Sequence, residues 1–299
     1  MSEKSKKILA ILMVSLMIFS LASCKNKDKN PVEDPPIDSE GGTQIDGPKV
    51  VGSVSYDDMM DKLEDAKKIN EYAAAWLSIP GTNIDYPVIF NPNEDNDYYS
   101  GRTLEGEDIN PSYNSWDDTV IYAHFRTSFD PDLNFASKNF TLFGHNWNNI
   151  TAPLFIGNDD EYTMFGQLPS YTDKEFLEQN PYIYFSTPDN EMVWKIYSVF
   201  YCEQDWSHEL GGFNYIEPNL TPVQMSQLII SQSERSEFNT NVDVNSEDRI
   251  LTLSTCSRII EGAGEEQRFV VVARQLRPGE SDKDPIEVIV NSNPKQPVL

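Results

Sequence analysis

Positive charge is scarce in this chain. Lys and Arg number 23 against 48 Asp and Glu, giving a formal charge of −25 with His neutral. No basic stripe is available to neutralise phosphates, which excludes nucleic acid as a partner and leaves a soluble, self-repelling domain as the expectation. Histidine and cysteine are equally sparse: His124, His145 and His208, and Cys24, Cys202 and Cys256. Spacing leaves a disulfide between Cys202 and Cys256 open. The apolar run near the N-terminus, Ile8 to Ala22, is shorter than the ~20 residues a relaxed membrane span needs. Core material is plentiful, with 39% hydrophobic residues including 14 Tyr, 15 Phe and 5 Trp. At 299 residues the chain has room for one large domain or two small ones, plus a tail.

Lys4, Lys6 and Lys7 precede that apolar run, the layout of a targeting segment. It closes on Leu21-Ala-Ser-Cys24, which resembles the bacterial lipobox, in which the Cys is acylated and becomes the new N-terminus. Residues 1–24 therefore read either as a lipoprotein signal, with Cys24 lipidated, or as an uncleaved anchor. Both place the rest on the extracytoplasmic face of the cell membrane. Residues 25–53 are rich in Lys, Asp, Pro, Gly and Ser and cannot bury enough surface to offset their ordering entropy, so they form a flexible linker. A folded domain is expected over 54–278 and a polar, fraying tail over 279–299, in which only Ile286 to Val290 offers an edge strand.

Within the domain, apolar residues recur at helical spacing from Tyr56 to Ala75 after the candidate cap Ser55. Trp76 to Ile89 reads as two strands about a Pro80-Gly81 turn. Further strand-like runs are Thr119 to His124 and Phe140 to Gly144. A short helical region over Met164 to Glu178 precedes a hairpin of Tyr182 to Ser186 and Val193 to Tyr201 turning at Pro188-Asp-Asn190. Thr221-Pro222 then opens a helix with Val223, Met225, Leu228, Ile229 and Ile230 as its apolar positions. The two acidic residues before Arg249, Glu247 and Asp248, fall in a polar run whose spacing lacks the Ca²⁺ loop pattern, so no metal is expected.

The stretch that carries chemistry is Thr252-Leu-Ser-Thr-Cys256, followed twelve residues later by Arg268 in Gln267-Arg-Phe-Val-Val-Val-Ala273. Two neighbouring strands with Cys at the end of one would bring a thiol and a guanidinium together. A cysteine nucleophile needs a group that favours thiolate and a donor for the oxyanion, and the permanent charge of Arg serves either need. The proton carrier is taken to be His145, released where the apolar run Phe140-Thr-Leu-Phe breaks at Gly144. His124 alternates with Tyr122 in a strand and reads as a packed residue, while His208 sits among acidic and glycine neighbours and reads as a surface loop. Cys202, in an aromatic run, reads as a small buried hydrophobe.

These passages, with Trp76 to Ile89 and Asp95-Asn-Asp-Tyr-Tyr99, resemble a class B sortase over roughly Tyr72 to Leu276. The resemblance implies a mainly β fold, an eight-stranded β-barrel with an N-terminal helix and a long helix before the strand bearing the Cys. It implies a cofactor-free cysteine transpeptidase with His145, Cys256 and Arg268 as catalytic residues and Asn96, Ser254 and Thr255 contacting substrate. The implied partners are the sorting-signal peptide of secreted surface proteins, cleaved between Thr and the following Gly or Asn, and a peptidoglycan amine. Where the family usually ends the first of the two middle strands in an acidic residue, this chain has His124. A papain-like order is excluded, since its Cys precedes its His, whereas here His145 precedes Cys256. Two alternatives stay open: a tethered lipoprotein that keeps the barrel as a binding module, and a hydrolytic cysteine peptidase in which water replaces the amine.

Overall fold

The structure, a computed structural model, describes residues 53–124, 137–203, 214–259 and 267–297. Cys24 and His208 lie outside the described residues. Helix α1 (Tyr56–Ile69) is capped by the Ser55 side chain, which accepts from the Asp58 amide, and buries Met59, Leu63 and Ala66 along one stripe. The helical spacing runs on to Ala75, but the helix itself stops at Ile69. Asn70 leaves helical geometry, its side chain donating to the Leu104 carbonyl and accepting from the Tyr72 amide. The alanines beyond it join strand β1 (Ala73–Ser78). Pairing of Ala73 and Ala75 with the next strand overrides the helical preference of Ala there.

Among the described residues the remaining strands are β2 (Asp85–Ile89), β3 (Ile121–Ala123), β4 (Asn139–Phe143), β5 (Tyr182–Ser186), β6 (Val193–Glu203), β7 (Phe238–Thr240), β8 (Ile250–Ser257), β9 (Gln267–Gln275) and β10 (Val288–Val290). Eight of them close a barrel in the order β1-β2-β3-β4-β8-β9-β6-β5. The β2–β3 and β4–β8 pairs are parallel and the others antiparallel. Leu77, Val88, Leu142, Phe185, Trp194, Leu253 and Val271 fill the core. A second apolar cluster, with Trp76, Ile89 and Tyr182, lies under α1.

The other helices among the described residues are α2 (Asn96–Ser100), α3 (Lys174–Gln179) and α4 (Pro222–Arg235), with short 3₁₀ turns at Trp116–Asp118 and Leu168–Thr172. In α4, Thr221 and Gln224 form a capping box around Pro222, and Met225, Leu228, Ile229 and Gln232 face inward. Val223 and Ile230, counted among its apolar positions, point outward instead.

The segment after Pro278, expected to fray, is pinned to the domain. Tyr182 donates its hydroxyl to the Ser281 and Asp284 carbonyls, and Tyr184 donates to Asp282. Glu280 pairs with the buried Arg274 guanidinium, and β10 pairs with β7 in a separate two-stranded sheet that buries Ile286 and Val288. Asp248, weighed above as a metal ligand, accepts from Arg277, as does Asp243.

Candidate active site

Strands β8 and β9 run antiparallel in a register that sets Cys256 directly opposite Arg268. Residues so paired share one face with Cβ atoms about 4.5–5.5 Å apart, so thiol and guanidinium stand on the same rung. Cys256 is partly exposed although Thr255 and Ser257 on either side are buried. Arg268 donates from Nη1 to the Gln267 carbonyl at 2.9 Å.

The parallel pairing of β4 with β8 puts Phe143 beside Ser254, so the chain leaving β4 passes alongside Thr255 and Cys256. Two hydrogen bonds hold it there. Thr255 donates from Oγ1 to the Gly144 carbonyl at 2.7 Å, and Asn146 donates from Nδ2 to the Cys256 carbonyl at 3.1 Å. A Cβ at position 144 would lie 2.9 Å from the Phe165 ring and nearer still to the Ile121 side chain, so only Gly fits where the strand ends. Asn146 further binds both the amide and the carbonyl of Asn149, making the turn after His145 a closed unit.

His145 is held by its Nε2, 2.6 Å from the Ser100 carbonyl at the end of α2. A carbonyl only accepts, so Nε2 carries the proton in this contact and Nδ1 of the neutral ring keeps its lone pair. Trp147 and Trp116 flank the ring, their centroids 5.0 and 5.9 Å from it. Burial holds the imidazole below its ordinary pKa of 6.5; the Ser100 carbonyl and Asp117 act against this, and Arg268 reinforces it. Near neutrality His145 is therefore a neutral ring, able to take a proton at Nδ1 within electrostatic reach of Arg268. Tyr122 belongs to the same neighbourhood. Burial drives its phenol far above the usual value, with Arg268 opposing and Cys256 and Asp97 adding to the rise.

The other residues singled out in the sequence take varied places. Ser254 is 1% exposed with its hydroxyl 2.7 Å from that of Tyr215, and Thr255 is 2% exposed. Both hydroxyls thus have partners inside the protein. Asn96 is the first residue of α2, the same short helix whose last residue, Ser100, holds His145. His124 lies just past β3, buried, its amide donating to the Thr141 carbonyl and its ring 6.0 Å from Phe143. Cys202 is a buried free thiol, raised far above its usual pKa by burial. It pairs with Arg268 from the β6 side, so two strand spacings, about 9.5 Å, separate it from Cys256. That exceeds the ~7 Å Cα limit of a disulfide and closes the pairing left open above. Among the described residues no group of three or more His, Cys, Asp or Glu could hold a metal ion, and no helix is long and apolar enough to cross a membrane.

Sequence reasoning assigned no role to Asn146, the Ser100 carbonyl, Tyr122, Trp116 or Trp147. Asn146 stands inside the quoted Gly-His-Asn run and Tyr122 had been set on a strand face, but the carbonyl of Ser100 carries no sequence signal at all.

A closed barrel with a thiol, a guanidinium and an imidazole at the ends of three adjoining strands defines a cysteine transpeptidase of the sortase type. The family model described as a sortase domain matches residues 77–276, and the chain belongs to the sortase family. Its relatives narrow this to class B. Sortase B of Listeria monocytogenes is 28% identical over 200 residues, spanning 67% of this chain and 68% of the relative. Sortase B of Staphylococcus aureus is 27% identical over 219 residues, 72% and 75% of the two chains. The solved Staphylococcus aureus sortase B–substrate complex superposes with a TM-score of 0.55 at 25% identity, covering 73% of this chain and 86% of that one.

Proposed function

We propose that Cys256 is the nucleophile, His145 the proton carrier and Arg268 the oxyanion donor of a transpeptidase that cleaves a C-terminal sorting signal after Thr and joins it to a peptidoglycan amine. The observation that carries this reading is the shared rung of Cys256 and Arg268, with the His145 turn bonded to the same strand through Thr255 and Asn146.

The chemistry runs in two halves. Sγ gives its proton to Nδ1 of His145, and the thiolate attacks the carbonyl of the Thr. The oxyanion meets the guanidinium of Arg268, whose fork of donors can follow the charge as it forms. Collapse breaks the C–N bond, the imidazolium protonates the departing amine, and a thioester on Cys256 remains. An incoming amine, losing a proton to neutral His145, resolves the thioester into a new amide. Water in its place would release the acid. Asn96, Ser254 and Thr255 shape the substrate side of the site, the last two by fixing the strand from behind. The N-terminal segment, through lipid on Cys24 or as an uncleaved helix, holds the enzyme at the outer membrane surface, where secreted substrates and wall amines meet.

The test is mass spectrometry of the full chain, purified in detergent, with a library of peptides carrying Thr followed by Gly or Asn. The expected result is a thioester adduct on Cys256 that is absent in Cys256→Ala. The lack of any adduct across the library would leave the barrel as a binding module.

A further inference from the structure

Two large aromatic side chains next to His145 are left in solvent. Trp116 is 42% exposed and Trp147 is 43% exposed. Their rings lie 5.6 Å apart at 49°, and each also packs against the imidazole, at 5.9 and 5.0 Å. Neither position is explained by core packing. Trp116 opens the 3₁₀ turn that also carries Asp117 and Asp118, and Trp147 follows Asn146 out of the His145 turn.

We propose that Trp116 and Trp147 form the landing platform for the acceptor amine, which they bind in its ammonium form beside His145. The inference rests on the transpeptidase reading above. The reaction requires a primary amine to arrive at the imidazole after the thioester has formed. At neutral pH such an amine is mainly an ammonium ion, which is attracted to the face of an indole more strongly than to any other side-chain ring. Charge around the platform suits a cation. Asp117 sits on the same turn as Trp116, its carboxylate accepting from Thr163 and Ser115, and the chain as a whole carries −25. Arg268 is the opposing charge at the site, and its place on the Cys256 rung assigns it to the acyl side.

On this platform the ammonium releases one proton to solvent. The free amine nitrogen forms the C–N bond, the C–S bond breaks with its electron pair on Sγ of Cys256, and the second N–H proton passes to His145. Thiolate and imidazolium are restored. Water, uncharged, gains nothing from the indole faces, so the platform favours transfer over hydrolysis.

The experiment loads the full chain with a Thr-containing peptide, verifies the thioester on Cys256 by mass, and measures its resolution by glycinamide and by semicarbazide. The two nucleophiles share one heavy-atom skeleton, but at neutral pH the first is mainly an ammonium and the second is uncharged. In Trp147→Ala and Trp116→Ala the ratio of the glycinamide to the semicarbazide rate constant is expected to fall about 3- to 30-fold. General damage to His145 would slow both nucleophiles together and leave the ratio unchanged. Should the alanine variants fail to acylate, Trp147→Phe carries the test, with a smaller fall in the same ratio. An unchanged ratio in variants that do acylate overturns the platform alone, whereas a wild-type chain that forms no thioester overturns the transpeptidase reading beneath it.

Discussion

Asn146 offers the sharpest test of how the site is held together. Its side chain is 2% exposed and makes three hydrogen bonds: Nδ2 to the Asn149 carbonyl at 2.8 Å and to the Cys256 carbonyl at 3.1 Å, and Oδ1 from the Asn149 amide at 2.9 Å. At ~1 kcal/mol net for each bond, Asn146→Ala should destabilise the fold by about 3 kcal/mol. Asn146→Asp separates geometry from chemistry. It keeps the shape and the acceptor for the Asn149 amide, but turns a second oxygen toward two carbonyls that had received N–H donors. A buried carboxylate facing two acceptors has no compensation, so at neutral pH the Asn146→Asp variant should be less stable than Asn146→Ala despite the smaller change in volume. Urea unfolding of the full chain, read as a shift in midpoint at constant slope, measures both effects. Because the Cys256 bond is the one that ties the His145 turn to β8, thioester formation on Cys256 should slow in both variants even under conditions where they remain folded. An Asn146→Asp variant as stable as wild type, or acylation at the wild-type rate in both, would refute the claim that this amide couples the two halves of the site.

Three further outcomes are expected. The His145 ring should titrate below 6.5 when followed by NMR, because burial disfavours its charged form. Since the folded state then binds fewer protons than the unfolded, this group's contribution to stability is present above 6.5 and is lost as pH falls through the folded pKa; a midpoint at or above 6.5 would contradict the environment described. Arg268→Lys should lower the rate of thioester formation by roughly 10²-fold, as for other lost oxyanion donors, because a point charge does not reproduce the guanidinium fork; near-wild-type rates would remove Arg268 from that role. Glu280, held down to about 2 chiefly by its hydrogen bond to Arg274, contributes stability that is present above 4.5 and lost between there and about 2. Glu280→Gln should therefore flatten the acid limb of the stability curve in that window and cost about 2 kcal/mol at neutral pH, less than for a fully buried pair because Glu280 is itself partly exposed.

Much of this architecture could be read from residue order, and the gaps have physical causes. Alternation and apolar runs marked the strands, and the Pro188-Asp-Asn190 turn marked the β5–β6 hairpin, because those signals are local. The break at Gly144 pointed to His145 for the same reason. Barrel closure through β1–β5 and the parallel pairs β2–β3 and β4–β8 join segments far apart in the chain, and no local pattern records them. The overrun of α1 into Ala73 arose because three alanines suit a helix as well as a buried strand. Fraying was expected after Pro278 because the segment is polar, but what fixes it are hydroxyls of Tyr182 and Tyr184, distant in the sequence. The contact of His145 with Ser100 was invisible because it uses a backbone carbonyl, which every residue possesses.

The parallel seam between β4 and β8 has a consequence for the nascent polypeptide. During synthesis the segment bearing the imidazole is complete more than a hundred residues before the one bearing the sulfur, and the two meet only through this late, non-local pairing. Under the mechanism proposed above, the thiol meets its proton acceptor only when the final strands dock, so acyl transfer waits for closure of the barrel.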